Sequence, residues 1–307
     1  MLKWKCRFLL GLFLCGLFLC GGVLWADARA DRDGSDEKDG ARYTLGYRFH
    51  PGQTLRWEVT HQTNTRTSIS ESTQTAETTS KSVKLWRVLD VAADGSATFE
   101  HSVESIDMRQ KLSGHSEVRY NSLTDDKAPT GFKDVAKAVG VPLSVVTLDS
   151  RGKILKRELK QSTPGVKHAA RVTIPLPEEP VPIGHTWSFP HEVEVPLRSG
   201  GIKRVKTLQS FELASVKTGV ATIRVATRIL SPIRDPAIRS QLVQLESSGE
   251  VKFDVDAGCI LGQQMDVDKH VVGFHTEASS LHYESRFTEK LLPAETRTAK
   301  RQTAPGR

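Results

Sequence analysis

The sequence predicts a mainly β protein: two similar antiparallel, curved β-meander halves packed together, with one or two short helices. Three observations carry this expectation. From Tyr43 onward apolar residues recur with a period of two rather than 3.6, as in "YTLGYRFH" and "LRWEV". The runs are rich in Val, Thr and aromatic residues and are separated by turn residues, the pattern of antiparallel strands. The second half of the chain also repeats, in order, three short patterns of the first.

Taken in order, "SVKLWRVLDV" (82–91) is a strand that ends at the turn "AADG", and "SATFEHSVESIDM" (96–108) alternates through Ala97, Phe99 and Val103. "VVTLDSRGKILKREL" (145–159) reads as a hairpin turning at Asp149–Gly152, where glycine supplies a positive φ. In "GFKDVAKAVG" (131–140), Phe132, Val135, Ala136 and Val139 share one face of a short helix that Gly140 can end. A second helix is expected from Asp235-Pro236, an N-cap followed by proline, with Ile238, Leu242 and Leu245 along one face. The run "QLVQLESSGEVKFDV" fits a hairpin equally well.

Gly52-Gln-Thr-Leu-Arg-Trp57 is repeated as Gly184-His-Thr-Trp187, with a two-residue difference. Gly95, Ala97 and Thr98 pair with Gly219, Ala221 and Thr222; Gly152, Ile154 and Leu155 pair with Gly258, Ile260 and Leu261. The second and third glycines are 57 residues apart in the first half and 39 in the second, an excess that the helix at 131–140 and its polar approach largely absorb. We expect a first β repeat over 42–173, an extended proline-rich connector over 174–183 and a second β repeat over 184–292. Each sheet must cover its apolar face. Either the two cover each other, or they form one continuous concave body. Trp57 and Trp187 are expected as core anchors.

Outside the repeats, Lys3, Lys5 and Arg7 precede an uncharged apolar run from Phe8 to Trp25 and alanine-rich cleavage patterns at 26–30. Residues 1–30 thus read as a signal peptide, or as an anchor through 8–25 if uncleaved. The expected location is periplasmic or extracellular. Residues 31–41 form a charged linker, whose Asp31, Asp33, Asp36 and Asp39 lack the order of a calcium loop, and 293–307 a basic, core-free tail. Three of the four cysteines lie in the first 30 residues, so the mature chain keeps only Cys259, read as a small buried hydrophobe. Net charge is +7, of which residues 1–30 contribute +3. That suits loose attraction to anionic envelope material, and the absence of a dense basic stripe argues against nucleic acid.

The chain carries no Gly-x-Ser-x-Gly elbow, phosphate loop or His-Glu-x-x-His. In "HEVEV" (191–195) valine stands where a second histidine would be, and Glu178-Glu179 lie in the proline connector. His270, His275 and His282 lie near Asp266, Asp268 and Glu277, but the odd separation of the first two histidines sends them to opposite faces of a strand. No catalytic residue, metal ligand or cofactor is therefore expected, and no binding residue can be assigned. Ser or Thr fills 13 of the 23 positions in 60–82, which we read as a solvated hairpin or edge ribbon projecting from the body.

"RYTLGYRFHPGQTLRWEV", "IPLPEEPVPIGHTWS", "GVATIRV" and "GFHTEASSLHYESRF" together resemble a secreted domain-of-unknown-function family of planctomycete-type bacteria over most of residues 43–292. The resemblance implies neither activity nor site residues. Two expectations follow: a non-catalytic envelope protein binding a lipid or apolar ligand in a groove between curved sheets, or an envelope interaction protein contacting a polymer or protein through the 60–82 arm. A hydrolase ranks third. Whether the space between the halves is open or packed separates the first two.

Overall fold

The computed structural model describes residues 40–161 and 173–294, so the expected signal, most of the linker and nearly all of the basic tail lie outside the described residues. The strands are β1 (Arg42–Tyr43), β2 (Thr54–Ile69), β3 (Ser72–Val91), β4 (Ala97–Leu112), β5 (Val118–Asn121), β6 (Pro142–Leu148), β7 (Ile154–Leu159), β8 (Val181–Pro182), β9 (Thr186–Pro196), β10 (Ile202–Lys217), β11 (Val220–Ile229), β12 (Ser248–Asp254), β13 (Cys259–Val272) and β14 (Ser280–Leu291). Two short helices, α1 (Lys133–Ala138) and α2 (Pro236–Leu242), complete the mainly β fold. Asp235 caps α2 by accepting from the Ala237 amide at 2.8 Å. No described helix is long and apolar enough to cross a membrane.

All pairings among the long strands are antiparallel. They build one sheet in the order β7-β6-β4-β3-β2-β14-β13-β12-β11-β10-β9, with β5 beside β4; β1 and β8 pair separately. The two halves are parallel in plan. The series β2-β3-β4-α1-β6-β7 in the first is matched by β9-β10-β11-α2-β12-β13 in the second, and β14 joins them by pairing with β2 from Leu291↔Trp57 to Ser280↔Ser68.

The doubled Gly-x-Thr stretch has one structural job in both places. Gly52 donates to the Val88 carbonyl at 3.0 Å while Val88 donates to Gln53 at 2.9 Å. Gly184 donates to Leu213 at 2.8 Å and Leu213 to His185 at 3.0 Å. Each pair ties the entry of the first strand of its half to the second. By this register Trp187 corresponds to Leu55 rather than to Trp57, because Leu55 lies opposite Trp86 and Trp187 opposite Phe211. The two tryptophans are both inward anchors, one pleat apart.

Successive amides of the entry segment show that the sheet is curled. Tyr47 donates to Ser150 in the β6–β7 turn at 2.7 Å, and Arg48 to Gly258 in the β12–β13 turn at 3.0 Å. A flat sheet would hold β6 and β13, five strand steps apart, about 24 Å from each other. Both turns need glycine. A Cβ on Gly152 would lie 2.5 Å from the Ile174 carbonyl oxygen, and one on Gly258 2.6 Å from the Arg48 amide. The space between the halves is packed: Leu45, Tyr47 and Phe49 lie in one core with Trp57, Trp86, Phe99 and Leu148 from the first half and Phe211, Leu213, Ile223 and Phe253 from the second.

A β-bulge lets β4 serve this core along its whole length. Val83 faces Ser105 but Lys84 faces Val103, leaving Glu104 as the extra residue. Inward positions are therefore 97, 99, 101 and 103 on one side of the bulge and 106 and 108 on the other, which keeps Phe99, Val103, Ile106 and Met108 all inward. Ile106 and Met108 pack under α1 with Tyr120 and Phe132; Val195 and Val205 pack under α2 with Ile238 and Leu242.

The Ser/Thr-rich stretch 60–82 does form a hairpin, β2–β3, but it is neither an edge nor an isolated arm. β14 pairs along one side and β4 along the other, while the sheet edges are β7 and β9. Threonine is a good strand former whatever its polarity, and β14, the partner that covers β2, comes from a segment remote in sequence.

Candidate functional site

The inward face of the first half changes character along the strands. At one end lies an aromatic floor: Trp86 stacks on Phe99 with ring centroids 4.3 Å apart and meets Trp57 edge-on at 4.8 Å. Trp57 is fixed by its indole N–H, which donates to the Ile260 carbonyl at 3.0 Å. Above the floor Lys84 and Glu289 form an ion pair, and Gln263 donates to the same carboxylate. The Lys84 ammonium also sits 4.5 Å from the centroid of Trp57 and 4.9 Å from that of Trp86. The Glu289 side chain is 2% exposed and that of Lys84 17%. Such a pair is held by mutual attraction against a large desolvation cost.

A cavity of about 10 Å³ adjoins the pair, lined by Tyr47, Trp57, Lys84, Trp86, Cys259 and Glu289. That is about the space of one water molecule. The Trp86 indole N–H is buried here without a hydrogen-bond partner in the structure, which is the kind of group such a water satisfies. Burial pushes the Tyr47 phenol up, against the lowering effect of its hydrogen bond to Ile174, with the Glu289 carboxylate raising it further; the Cys259 thiol is likewise raised by burial and then by Asp254. Burial thus disfavours the ionised form of both groups, the form in which either would be nucleophilic. Cys259 is the buried small hydrophobe that its neighbours predict.

Beyond Lys84 and Glu289 the inward face becomes polar. His61, Thr63, Thr65 and Thr67 alternate inward on β2, opposite Ser80, Thr78 and Ala76 on β3, and Ser285 and Tyr283 on β14. His61 Nε2 lies 2.8 Å from Ser285 Oγ. Burial lowers the His61 pKa to about 4. His101, on the same face of β4, is lowered to about 3 by burial and then by the charges of Lys84 and Arg157. The clusters beneath α1 and α2 include no residue of β2, β3, β13 or β14. The polar surface is nevertheless buried: Ser80 is 4% exposed, and α2 lies against β13 while the turn after it, Val243–Leu245, lies against β13 and β14.

The second half shows what this surface would be in an ordinary core. With Val88 matched to Leu213, His61 corresponds to Val193, Thr63 to Val195, Ser80 to Val205 and His101 to Val225. Val195 and Val205 are buried under α2, with Val193 packed beside them.

The residues weighed from the sequence are distributed otherwise. His270 and His282 face each other across β13 and β14 on the outer face, with ring centroids 5.9 Å apart, while His275 lies in the turn between these strands. His191 is buried on β9, its carbonyl accepting from Thr207 at 3.1 Å. Glu178 and Glu179 are exposed in the connector. Trp187 donates to Pro175 at 2.9 Å, which fixes that connector against the core. Lys84, Glu289 and His61 were not singled out. The signal for Lys84 was present: in "SVKLWRV" it shares the parity of Trp86, hence its face. Nothing local marks Glu289, whose partners come from β3 and β13.

No family model matches the chain, and no curated protein does. Among solved structures, one of lipid–protein interactions in lipovitellin shares 14% identity at a TM-score of 0.44, covering 81% of this chain. This chain spans only 26% of that one. The translocator domain of the autotransporter NalP from Neisseria meningitidis matches at 7% identity and a TM-score of 0.28, over 78% of this chain and 89% of the other. A DUF1329 family protein from Desulfovibrio piger matches at 11% and 0.15, over 74% and 83% respectively. Likenesses this loose carry no functional argument.

Proposed function

We propose that this is a non-catalytic, exported cell-envelope protein that opens between α1 and α2 to hold an amphiphilic ligand against the polar inward stretch of β2, β3 and β14, which would then form a trough. The supporting observation is the divergence of the two halves: positions that are valine in the second are His61, Thr63 and Ser80 in the first. An inward polar surface needs hydrogen-bonding company. Hydroxyls there suit a headgroup, and Phe287, on the same face and opposite His61, suits the start of an apolar tail. The ligand is assigned to the trough and not to the cavity beside Lys84 and Glu289, because about 10 Å³ is far below the roughly 300–1,000 Å³ of ligand pockets.

The test is titration of the full chain with 11-(dansylamino)undecanoic acid, followed by dansyl fluorescence. Saturable enhancement that is lost in Ser80→Val with Thr63→Val supports the trough. Absence of enhancement, or enhancement indifferent to both substitutions, refutes it. Export is tested separately, by N-terminal sequencing of protein recovered from the native envelope; a start near residues 28–31 is expected.

The packed core favours a second reading, an interaction protein working through the outward face of β2 and β3. Deleting 60–82 cannot test it, since those residues are central strands. Outward substitutions such as Gln62→Ala and Lys81→Ala, with loss of binding to isolated envelope polymer as the readout, can.

A further inference from the structure

We propose a divalent-cation site of the zinc type on the convex face of β13 and β14, formed by Asp268, His282 and Glu284. Their ligand atoms all lie within 4.8 Å of one another. The site is assembled by pairing, which is why spacing along the sequence concealed it. Asp268 faces Glu284 directly and His270 faces His282. Two carboxylates directly opposite each other across a strand pair repel, and a cation held between them would relieve that repulsion.

The neighbouring side chains leave these three groups available. Asp266 is already paired with Arg286 at 2.7 Å. The Asp268 carboxylate is 2.8 Å from His282 Nε2, so one imidazole nitrogen and one carboxylate oxygen already converge. Glu284 is oriented by a third strand, accepting from the Asn64 side-chain amide at 2.9 Å. That is the outer-shell support typical of ligating carboxylates. The His270 ring stands edge-on to His282 and limits its swing. One imidazole and two carboxylates on paired strands, open to solvent on the outer side, supply three nitrogen and oxygen ligands of the types that bind zinc, with water to complete the shell. Arg66, opposite His282 on β2, is the opposing charge; its removal should tighten binding.

The experiment uses the full chain, free of a polyhistidine tag and treated with chelator, titrated calorimetrically with Zn²⁺. One saturable site is expected, abolished by His282→Ala or Asp268→Asn, weakened about tenfold by Asn64→Ala and unchanged by His115→Ala on a distant turn. Co²⁺ titration of the unsubstituted protein, read as visible absorption of tetrahedral character, gives a test that needs no variant. No heat and no Co²⁺ spectrum, or a site that survives His282→Ala together with Asp268→Asn, overturns the assignment.

Discussion

The two halves follow one plan and differ where it matters. Both begin with the same glycine-borne tie between first and second strands, both place a short helix between third and fourth, and both present a glycine turn to the shared entry segment. The second half then completes an ordinary core, with valines at 193, 195 and 205 under α2. The first half does not. It puts Lys84 where the second has Gln209, and His61 where the second has Val193. The shared plan supplies the frame, and the departures from it mark the candidate site.

The largest effect is expected at the ion pair. Lys84→Gln copies the second half's residue and strands the Glu289 carboxylate, which is 2% exposed. Breaking a buried pair from one side costs about 3–5 kcal/mol. Adding Glu289→Gln should recover most of that loss, since two amides need no counter-charge. Chemical denaturation of the single and double variants checks both. A single variant within 1 kcal/mol of wild type would show that the pair carries little in the folded state.

The next effect is a pH dependence to which two buried histidines of the first half contribute most. The folded-state pKa of His61 is lowered to about 4 by burial, below the unfolded value near 6.5. The unfolded chain therefore takes up the proton first. The contribution is fully present above about pH 6.5 and is lost as pH falls from there toward 4, by roughly 3 kcal/mol. His101, lowered to about 3, adds a loss over the same window and extends it to lower pH. His61→Val, the second half's residue, should cut the slope between pH 6.5 and 4 to about half, because His101 titrates over the same window. An unchanged slope in that window would mean that His61 is solvated in the folded state.

A smaller and equal effect is expected at the two matched turns. Gly152 has φ +81° and Gly258 φ +64°, and a Cβ at either meets backbone. Alanine at each should cost about 2 kcal/mol through the left-handed strain alone, more with the contact. Thermal denaturation of the two variants compares the halves directly. A large cost at one turn and none at the other would break their equivalence as anchors of residues 47 and 48.

How much of this was legible follows from which signals are local. Strand alternation, the short helices and the doubled Gly-x-Thr stretch depend on near neighbours, so the β class and the helix at Asp235-Pro236 could be read directly. Sheet order could not. Nothing in "THQTNTRTSISES" announces that β14, more than 200 residues away, pairs with it, so a central hairpin looked like a projecting one. The candidate site suffers doubly. The Glu104 bulge shifts the parity of β4 midway, which hides that His101 and Ile106 share a face. Glu289 lies in β14, outside the duplicated strands, so the repeat offers no counterpart that would make it conspicuous.

The smallest expected effect is the most discriminating. Ser80→Val replaces a hydroxyl that is 4% exposed with the residue its counterpart position, Val205, already carries. If the trough were merely an imperfect core, the added apolar contact should stabilise the fold, by about 0.5–1 kcal/mol, and alter nothing else. If the trough is a ligand site, the same change should leave stability within about 0.5 kcal/mol, because Ser80 lies opposite His61 and the valine would meet imidazole and hydroxyl groups, while dansyl-fatty-acid binding falls. Denaturation and titration of one variant therefore separate a core that evolution left unfinished from a surface kept polar for an occupant. Improved stability with unchanged binding would decide for the former.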